Sequence, residues 1–146
     1  MKKKKREIIC AGLIVASLIG TISTSYAAEY TNSKSFSNVV LPESSANTSL
    51  ASKVKSTGRS YGRAKITSYT NCSRVSVWFR TNVNGNYHYW LPYMKTLTGK
   101  SYVRVNYCDK DASYYKKGVG ANLRAENADS AFNIWTDKVS GTVDFN

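Results

Sequence analysis

The side chains that could support catalysis are few in this chain, and they are not grouped in any familiar pattern. The only histidine, His88, lies in the stretch NVNGNYHYWLPY, and the cysteines on either side of it are Cys72 and Cys108. A cysteine nucleophile paired with His88 would need a thiol that stays reduced. The sequence contains no Gly-x-Ser-x-Gly motif and no glycine-rich phosphate loop. We therefore expect a protein that is not an enzyme and that uses no cofactor.

A metal site is equally poorly supported. A lone histidine without neighbouring carboxylates or thiolates does not bind zinc. The segment DKDASYYKKGVG, which starts at Asp109, resembles the start of a calcium loop but has no Gly at the sixth place and no Glu at the twelfth. We predict no metal, and we interpret His88 as a structural, hydrogen-bonded side chain near the tip of a hairpin.

Stacking and ion pairing are the chemistry that this region favours. Asn84-Gly85 stands between two alternating runs, which predicts a type I′ hairpin. The resulting register places Arg80 opposite Tyr89 on the polar face. Such a pair could be a structural device, or it could be a platform for sugar rings and anionic groups. The candidate ligand-binding residues on this face are Arg74, Trp78, Arg80, Tyr87 and Tyr89.

The charge also favours an anionic partner. The chain carries 21 basic and 9 acidic residues, and 14 of the basic ones fall between Lys53 and Arg124, where Asp109 and Asp111 are the only acids. A basic body of this kind attracts teichoic acids, anionic lipid headgroups or stray nucleic acid. We expect an anionic cell-wall polymer or a membrane surface as partner, and no specific nucleic acid. A general solubility charge is the alternative explanation.

The N-terminus predicts export. Residues 1–27 read as a signal peptide, with a basic start, an apolar run from Ile8 to Ile22 and small residues before a cleavage site after Ala27. The apolar run is shorter than the roughly 20 residues that cross a bilayer. We therefore expect a secreted, extracellular protein, free or associated with the cell wall, without a transmembrane segment in its mature form.

The predicted export also determines the expected redox state of the cysteines. Cys10 lies inside the apolar run, so Cys72 and Cys108 are left as an even pair in an oxidising compartment. That arrangement predicts a disulfide between them. Closing this loop would stabilise the fold by roughly 3 to 4 kcal/mol.

The rest of the chain divides into an arm and a strand domain. Residues 28–57 are rich in Ser, Thr and Asn, which predicts a flexible arm, with a strand near Phe36 to Leu41 as the open alternative. Residues 58–146 alternate apolar and polar positions between turn signals, as in RVSVWFRTNV, YVRVNYC, VGANLRA and VSGTVDF. We predict an all-β fold, an antiparallel β-sandwich or barrel of six to seven strands.

This plan resembles that of small secreted β-rich proteins of Gram-positive bacteria, some of which are bacteriocin-like. The resemblance covers the signal MKKKK…SYAA, the polar arm and the run VGANLRAENADSAFNIWTDKVSGTVDFN. It implies a sandwich fold and an extracellular location, and it transfers no functional residue. The expected function is binding to an anionic envelope polymer. A bacteriocin-like antimicrobial protein is the alternative, and a small cell-wall hydrolase is a third.

Overall fold

Two antiparallel β-sheets pack face to face in this computed structural model, which describes residues 32–42, 46–89, 91–107, 111–129 and 136–146. The predicted all-β sandwich is confirmed. Residues 1–27, the predicted signal peptide, lie outside the described residues. The described strands are β1 Ser33–Val40, β2 Thr48–Val54, β3 Tyr61–Thr70, β4 Val75–Val83, β5 Asn86–Tyr89, β6 Lys95–Leu97, β7 Val103–Asn106, β8 Gly120–Asn127 and β9 Lys138–Asp144.

The strands are shared between the sheets in an order that differs from their order in the chain. Sheet A has the order β1-β9-β3-β7, and sheet B has the order β2-β8-β4-β5. β6 also pairs with β4, along Val75 to Val77, whereas β5 pairs with Arg80 to Val83. β5 and β6 therefore form one interrupted edge of sheet B, with a short 3₁₀ helix at Leu91–Tyr93 between them.

The core lies where the alternating apolar positions of the two sheets meet. Val75, Val77 and Phe79 of β4 are at most 1% exposed, as the period of two predicts. The Phe79 ring stacks on the Tyr107 ring with a centroid distance of 4.2 Å, and meets the Phe145 ring edge-on at 5.8 Å. These contacts join sheet B to the strand ends of sheet A.

Two glycines allow close packing, one between neighbouring strands of sheet A and one between the two sheets. A Cβ added at Gly141 would lie 2.2 Å from the carbonyl oxygen of Lys65 and 2.7 Å from the Phe36 ring. At Gly62 a Cβ would lie 2.6 Å from the Phe79 ring. These distances are shorter than real Cβ contacts. A side chain at Gly141 would push β9 away from its neighbours β1 and β3 in sheet A, and one at Gly62 would push sheet B away from sheet A.

The predicted flexible arm of residues 28–57 is wrong for its described part, because β1 and β2 lie within it. β1 pairs with β9 and β2 pairs with β8, and Phe36, Leu41 and Leu50 are buried. Strand partners on the central strands satisfy the backbone of a segment that has few apolar side chains of its own. The strand unit thus runs from Asn32 rather than from residue 58, and it contains nine described strands rather than six or seven.

The predicted disulfide is not present, since Cys72 has a free thiol. Its Sγ lies 3.8 Å from the carbonyl oxygen of Lys138, just beyond the C-terminal end of β3. Cys108 itself lies outside the described residues, but the amide of its neighbour Tyr107 donates to Ser60 at the other end of β3. Ten strand residues span about 30 Å, whereas a disulfide needs Cα atoms within about 7 Å. A bond between the two cysteines would therefore require Tyr107 to leave its place beside Ser60.

A buried lysine stands at the end of the sandwich that holds Tyr107. Lys55 is 2% exposed, and its Nζ donates to the carbonyl oxygens of Arg59 at 3.0 Å and Asn146 at 2.9 Å. The ammonium also lies 3.8 Å from the centroid of the Tyr107 ring. Burial lowers the pKa of Lys55 to about 7, although the neighbouring carboxylate of Asp144 opposes the shift.

Candidate functional site

The hairpin of β4 and β5 has the register that the sequence predicts. Thr81 pairs with His88, and Arg80 pairs with Tyr89. Both turn residues have positive φ, 52° at Asn84 and 84° at Gly85, as a type I′ turn requires. Arg80 therefore points away from the core, on the outer face of sheet B.

Two rows of side chains cross this outer face at right angles to the strands. In the first row, Val54, Gly120, Asn82 and Tyr87 are successive register partners on β2, β8, β4 and β5. In the second row, Ser52, Asn122, Arg80 and Tyr89 are successive partners on the same four strands.

A shallow groove of about 310 Å³ follows the two rows. Gly120 leaves a gap between Val54 and Asn82, because it has no side chain. A Cβ at Gly120 would meet only the Asn82 Cβ, at the ordinary contact distance of 3.7 Å. The groove is lined by Ser52, Lys53, Val54, Arg80, Asn82, Tyr87, Gly120, Ala121 and Asn122.

Arg80 is the notable side chain of the groove. Its guanidinium carbon lies 4.0 Å from the centroid of the Tyr87 ring. The stack is with Tyr87, the diagonal neighbour, rather than with the predicted partner Tyr89. Within the described part of the chain, Arg80 makes no hydrogen bond or ion pair, and its Nε is buried without a partner.

Asn122 adds an unused acceptor beside Arg80. Its amide nitrogen donates to the hydroxyls of Ser49 and Ser52. Its Oδ1 is buried and has no hydrogen-bond partner among the described residues. Leaving a buried polar atom unpaired costs roughly 1 to 3 kcal/mol. The groove thus contains one donor group and one acceptor whose hydrogen bonds are unmade.

The other arginines of this face have partners. Arg124 donates to the side chain and the carbonyl oxygen of Asn47. Burial lowers the pKa of Arg124, and the charge of Arg80 lowers it further, so the two guanidinium groups repel each other. This repulsion makes the Arg80 end of the face favourable for an anion.

Three of the predicted ligand-binding residues, Arg74, Trp78 and Tyr89, do not line the groove. Arg74 forms an ion pair with Asp129, with 2.9 Å between Nε and Oδ1. Trp78 does lie on the outer face, opposite Arg124, but it is only 4% exposed. Ser76, two residues earlier on the same face, is also buried, so this end of the face is covered. Of the five predicted residues, Arg80 and Tyr87 line the groove, and Tyr89 lies beside it as the register partner of Arg80. Tyr87 and Tyr89 are 57% and 58% exposed, whereas Arg80 is partly buried.

Sequence reasoning missed the residues that β2 and β8 contribute. Asn122 could have been found, because it alternates with the inward Ala121 and Leu123 in VGANLRA. Ser52 and Val54 could not, because they lie in the segment whose composition predicts an arm.

The remaining candidates for chemistry are structural. His88 packs its ring against Tyr114, with 4.6 Å between the centroids. In the ranges that the structure describes, no three His, Cys, Asp or Glu side chains are placed to hold a metal ion. Nor does any helix in those ranges have the length and apolar character needed to cross a bilayer.

Comparison with known proteins gives no match. No family profile fits the chain, and no curated protein or solved structure is significantly similar to it. Function must therefore be inferred from the geometry of the groove.

Proposed function

We propose that this protein is secreted and that it binds an anionic polymer of the cell envelope in the groove of sheet B, without catalysing a reaction. The observation that carries the proposal is Arg80. Its guanidinium is held against the Tyr87 ring and has no acidic or carbonyl partner among the described residues. A planar guanidinium in this setting is suited to a phosphate or a carboxylate, which it can bind through two parallel hydrogen bonds.

The neighbours of Arg80 suggest what the rest of the ligand would be. The side-chain amide of Asn82, which lines the groove and is partly exposed, would pair with a hydroxyl of the ligand. The exposed ring of Tyr89 and the exposed side chain of Val54 would contact its carbon atoms. An anionic group next to hydroxylated carbons describes a polyol phosphate or an acidic sugar, which are the units of envelope polymers. The signal-like residues 1–27 support an encounter with such polymers outside the cell.

The test is retention of the purified protein on isolated Gram-positive cell walls, with and without teichoic acid, across a salt series. We expect retention that needs the teichoic acid and that falls as the ionic strength rises. Arg80→Gln should weaken binding by roughly tenfold or more, since hydrogen bonds to charged groups are worth about 1.5 to 3 kcal/mol.

Two further variants separate the groove from general charge. Gly120→Val should fill the groove and weaken binding while the fold is kept, because the added Cβ has room. Lys95→Gln removes the same charge from an exposed position opposite Val77, at the other end of β4, and should bind as the unmodified protein does. If Arg80→Gln and Lys95→Gln weaken binding equally, the groove is not the site.

A further inference from the structure

A second cluster of cations lies on the outer face of sheet A, on the opposite side of the sandwich from the groove. It is built on the two neighbouring strands β3 and β7 and on the loop before β3. We call it the β3–β7 face, and its members are Arg59, Tyr61, Arg63, Lys65, Tyr102 and Arg104.

The register of the two strands places like charges directly against each other. Arg63 pairs with Arg104 across β3 and β7. Like charges at directly opposite positions destabilise a sheet. Among the described residues, Asp144 faces Arg63 from β9, and it is buried, at 2% exposure. The face therefore carries four cations, of which Arg59 and Arg104 are exposed and Arg63 and Lys65 are partly exposed, and the Nε of Arg104 donates to Oδ1 of Asn106 at 3.1 Å.

The two tyrosines hold these cations in place. The guanidinium carbon of Arg104 lies 3.9 Å from the centroid of the Tyr61 ring, and those of Arg59 and Arg63 lie 5.9 Å from it. The Nζ of Lys65 lies 4.9 Å from the centroid of the Tyr102 ring. Cations held over rings in this way keep their charge and lose little entropy when an anion binds.

The same contacts favour one kind of polyanion. Single-stranded nucleic acids bind by stacking their bases on open aromatic rings. On the β3–β7 face the Tyr61 ring is surrounded by three arginines and the Tyr102 ring is covered by a lysine. Bases would have to displace these cations, whereas a polymer of phosphates and aliphatic polyol units would not. Successive outward side chains of β3, such as those of Arg63 and Lys65, are roughly 6.6 Å apart, since each strand residue rises about 3.3 Å. The face therefore offers a row of regularly spaced cations to a chain of phosphates.

We propose that the β3–β7 face is a second binding surface, and that it takes a poly(glycerol phosphate) chain of the teichoic acid type. The choice of ligand class depends on the proposed function, but the site does not use any residue of the groove. Because the two surfaces are the outer faces of opposite sheets, one molecule can hold two polymer chains at once and link them. The gain from holding both would appear as avidity rather than as a new contact.

The experiment measures binding of deacylated poly(glycerol phosphate) lipoteichoic acid by calorimetry at low salt, together with the turbidity of the mixture. The test variant is Arg63→Gln with Arg104→Gln. The matched control is Lys116→Gln with Lys117→Gln, which removes the same charge from an exposed turn outside both sheets. We expect the test variant to lose at least tenfold in affinity and to stop producing turbidity, and the control to behave as the unmodified protein does.

Measuring the test and control variants again in an Arg80→Gln background separates the β3–β7 face from the groove. If the test variant still loses affinity in that background, the β3–β7 face binds independently of the groove. If Arg80→Gln has no effect but the test variant loses affinity, the groove proposal fails and this one stands. Equal behaviour of test and control variants, or absence of polymer binding by the unmodified protein, would overturn the second surface. Tighter binding of single-stranded DNA with the same number of phosphates would overturn the ligand class.

A fold check accompanies these variants. The test variant relieves the repulsion between Arg63 and Arg104, but it also removes the charge of Arg63 beside Asp144 and the hydrogen bond from Arg104 to Asn106, so its urea midpoint is measured against that of the unmodified protein. If the urea midpoint falls, Lys65→Gln is used instead, because it removes one cation of the face and leaves Arg63 and Arg104 in place. Lys65→Gln should still lower the affinity by a few fold.

Discussion

The stability of this protein should rise with pH near neutrality, because Lys55 is buried with a pKa of about 7. In the unfolded chain a lysine keeps its usual pKa, near 10.4. Between these two values the unfolded state binds one more proton than the folded state, so raising the pH favours folding. Below pH 7 Lys55 is protonated in both the folded and the unfolded state, so the folded state carries the full free-energy cost of burying a charged ammonium.

The size of the effect follows from this one proton. The slope of the unfolding free energy against pH has an upper limit of about 1.4 kcal/mol per pH unit. Partial hydration of the ammonium would reduce this, and we expect a gain of about 1 to 2 kcal/mol from pH 7.0 to 9.0. The nearby Asp144 has a pKa that burial raises from an acidic starting value, and the pKa of Tyr107 is raised above its usual range near 10. Lys55→Met separates these two groups from Lys55, because the variant keeps both of them.

Urea unfolding, followed by tryptophan fluorescence at several pH values, measures this change in the free energy of unfolding from the midpoint and slope of each curve. Lys55→Met is the matched variant, since it keeps an unbranched side chain only one atom shorter and removes the titrating group. It should lose some stability overall, because the carbonyl oxygens of Arg59 and Asn146 lose their donor. Its stability should nevertheless be flat over this window. A flat profile for the unmodified protein, or the same rising profile in Lys55→Met, would refute the reasoning.

Three further outcomes can be measured in the same way. Gly141→Ala should lower the unfolding free energy by about 3 kcal/mol, since its Cβ would lie 2.2 Å from a carbonyl oxygen, whereas Gly120→Ala should change it by less than about 0.5 kcal/mol; similar losses would contradict the packing argument. Cys72→Ser, or treatment with a thiol reductant, should leave the urea midpoint nearly unchanged, and a loss of the roughly 2 to 5 kcal/mol typical of a native disulfide would show that the thiol is not free. Asp129→Asn should cost no more than about 1 kcal/mol and leave polymer binding unaltered, because its ion pair with Arg74 lies at the surface and outside the groove; weakened binding would return Arg74 to the site.

The sequence predicts the central strands well because there burial and backbone geometry agree. Alternation in RVSVWFRTNV places Val75, Val77 and Phe79 in the core, where they are found. The Asn84-Gly85 pair determines the register of the hairpin, because few other residues adopt two successive positive φ angles. That register alone is enough to place Arg80, Tyr87 and Tyr89 on one face.

The misses have physical reasons that a single sequence does not contain. The polar segments β1 and β2 form strands because they pair with β9 and β8. Those partner strands are distant in the chain, so the composition of the segments themselves does not predict the pairing. Trp78 alternates correctly, yet it is buried, since alternation gives the face of a sheet and not what covers it. An even number of cysteines predicts a disulfide, whereas the structure gives Cys72 a free thiol near the C-terminal end of β3 and pairs Tyr107, the residue before Cys108, with Ser60 at the N-terminal end of that strand.

The place of β9 in sheet A sets the time at which this protein can fold. β9 is hydrogen-bonded to β1 on one side and to β3 on the other, and the Ser35 and Thr142 hydroxyls that meet there are 107 positions apart. During synthesis, β1 and β3 leave the ribosome long before the strand that joins them. Contacts of such long range slow folding, so the chain should remain unfolded through most of its synthesis. Under the proposed function, in which the chain is exported before it folds, this delay would favour export.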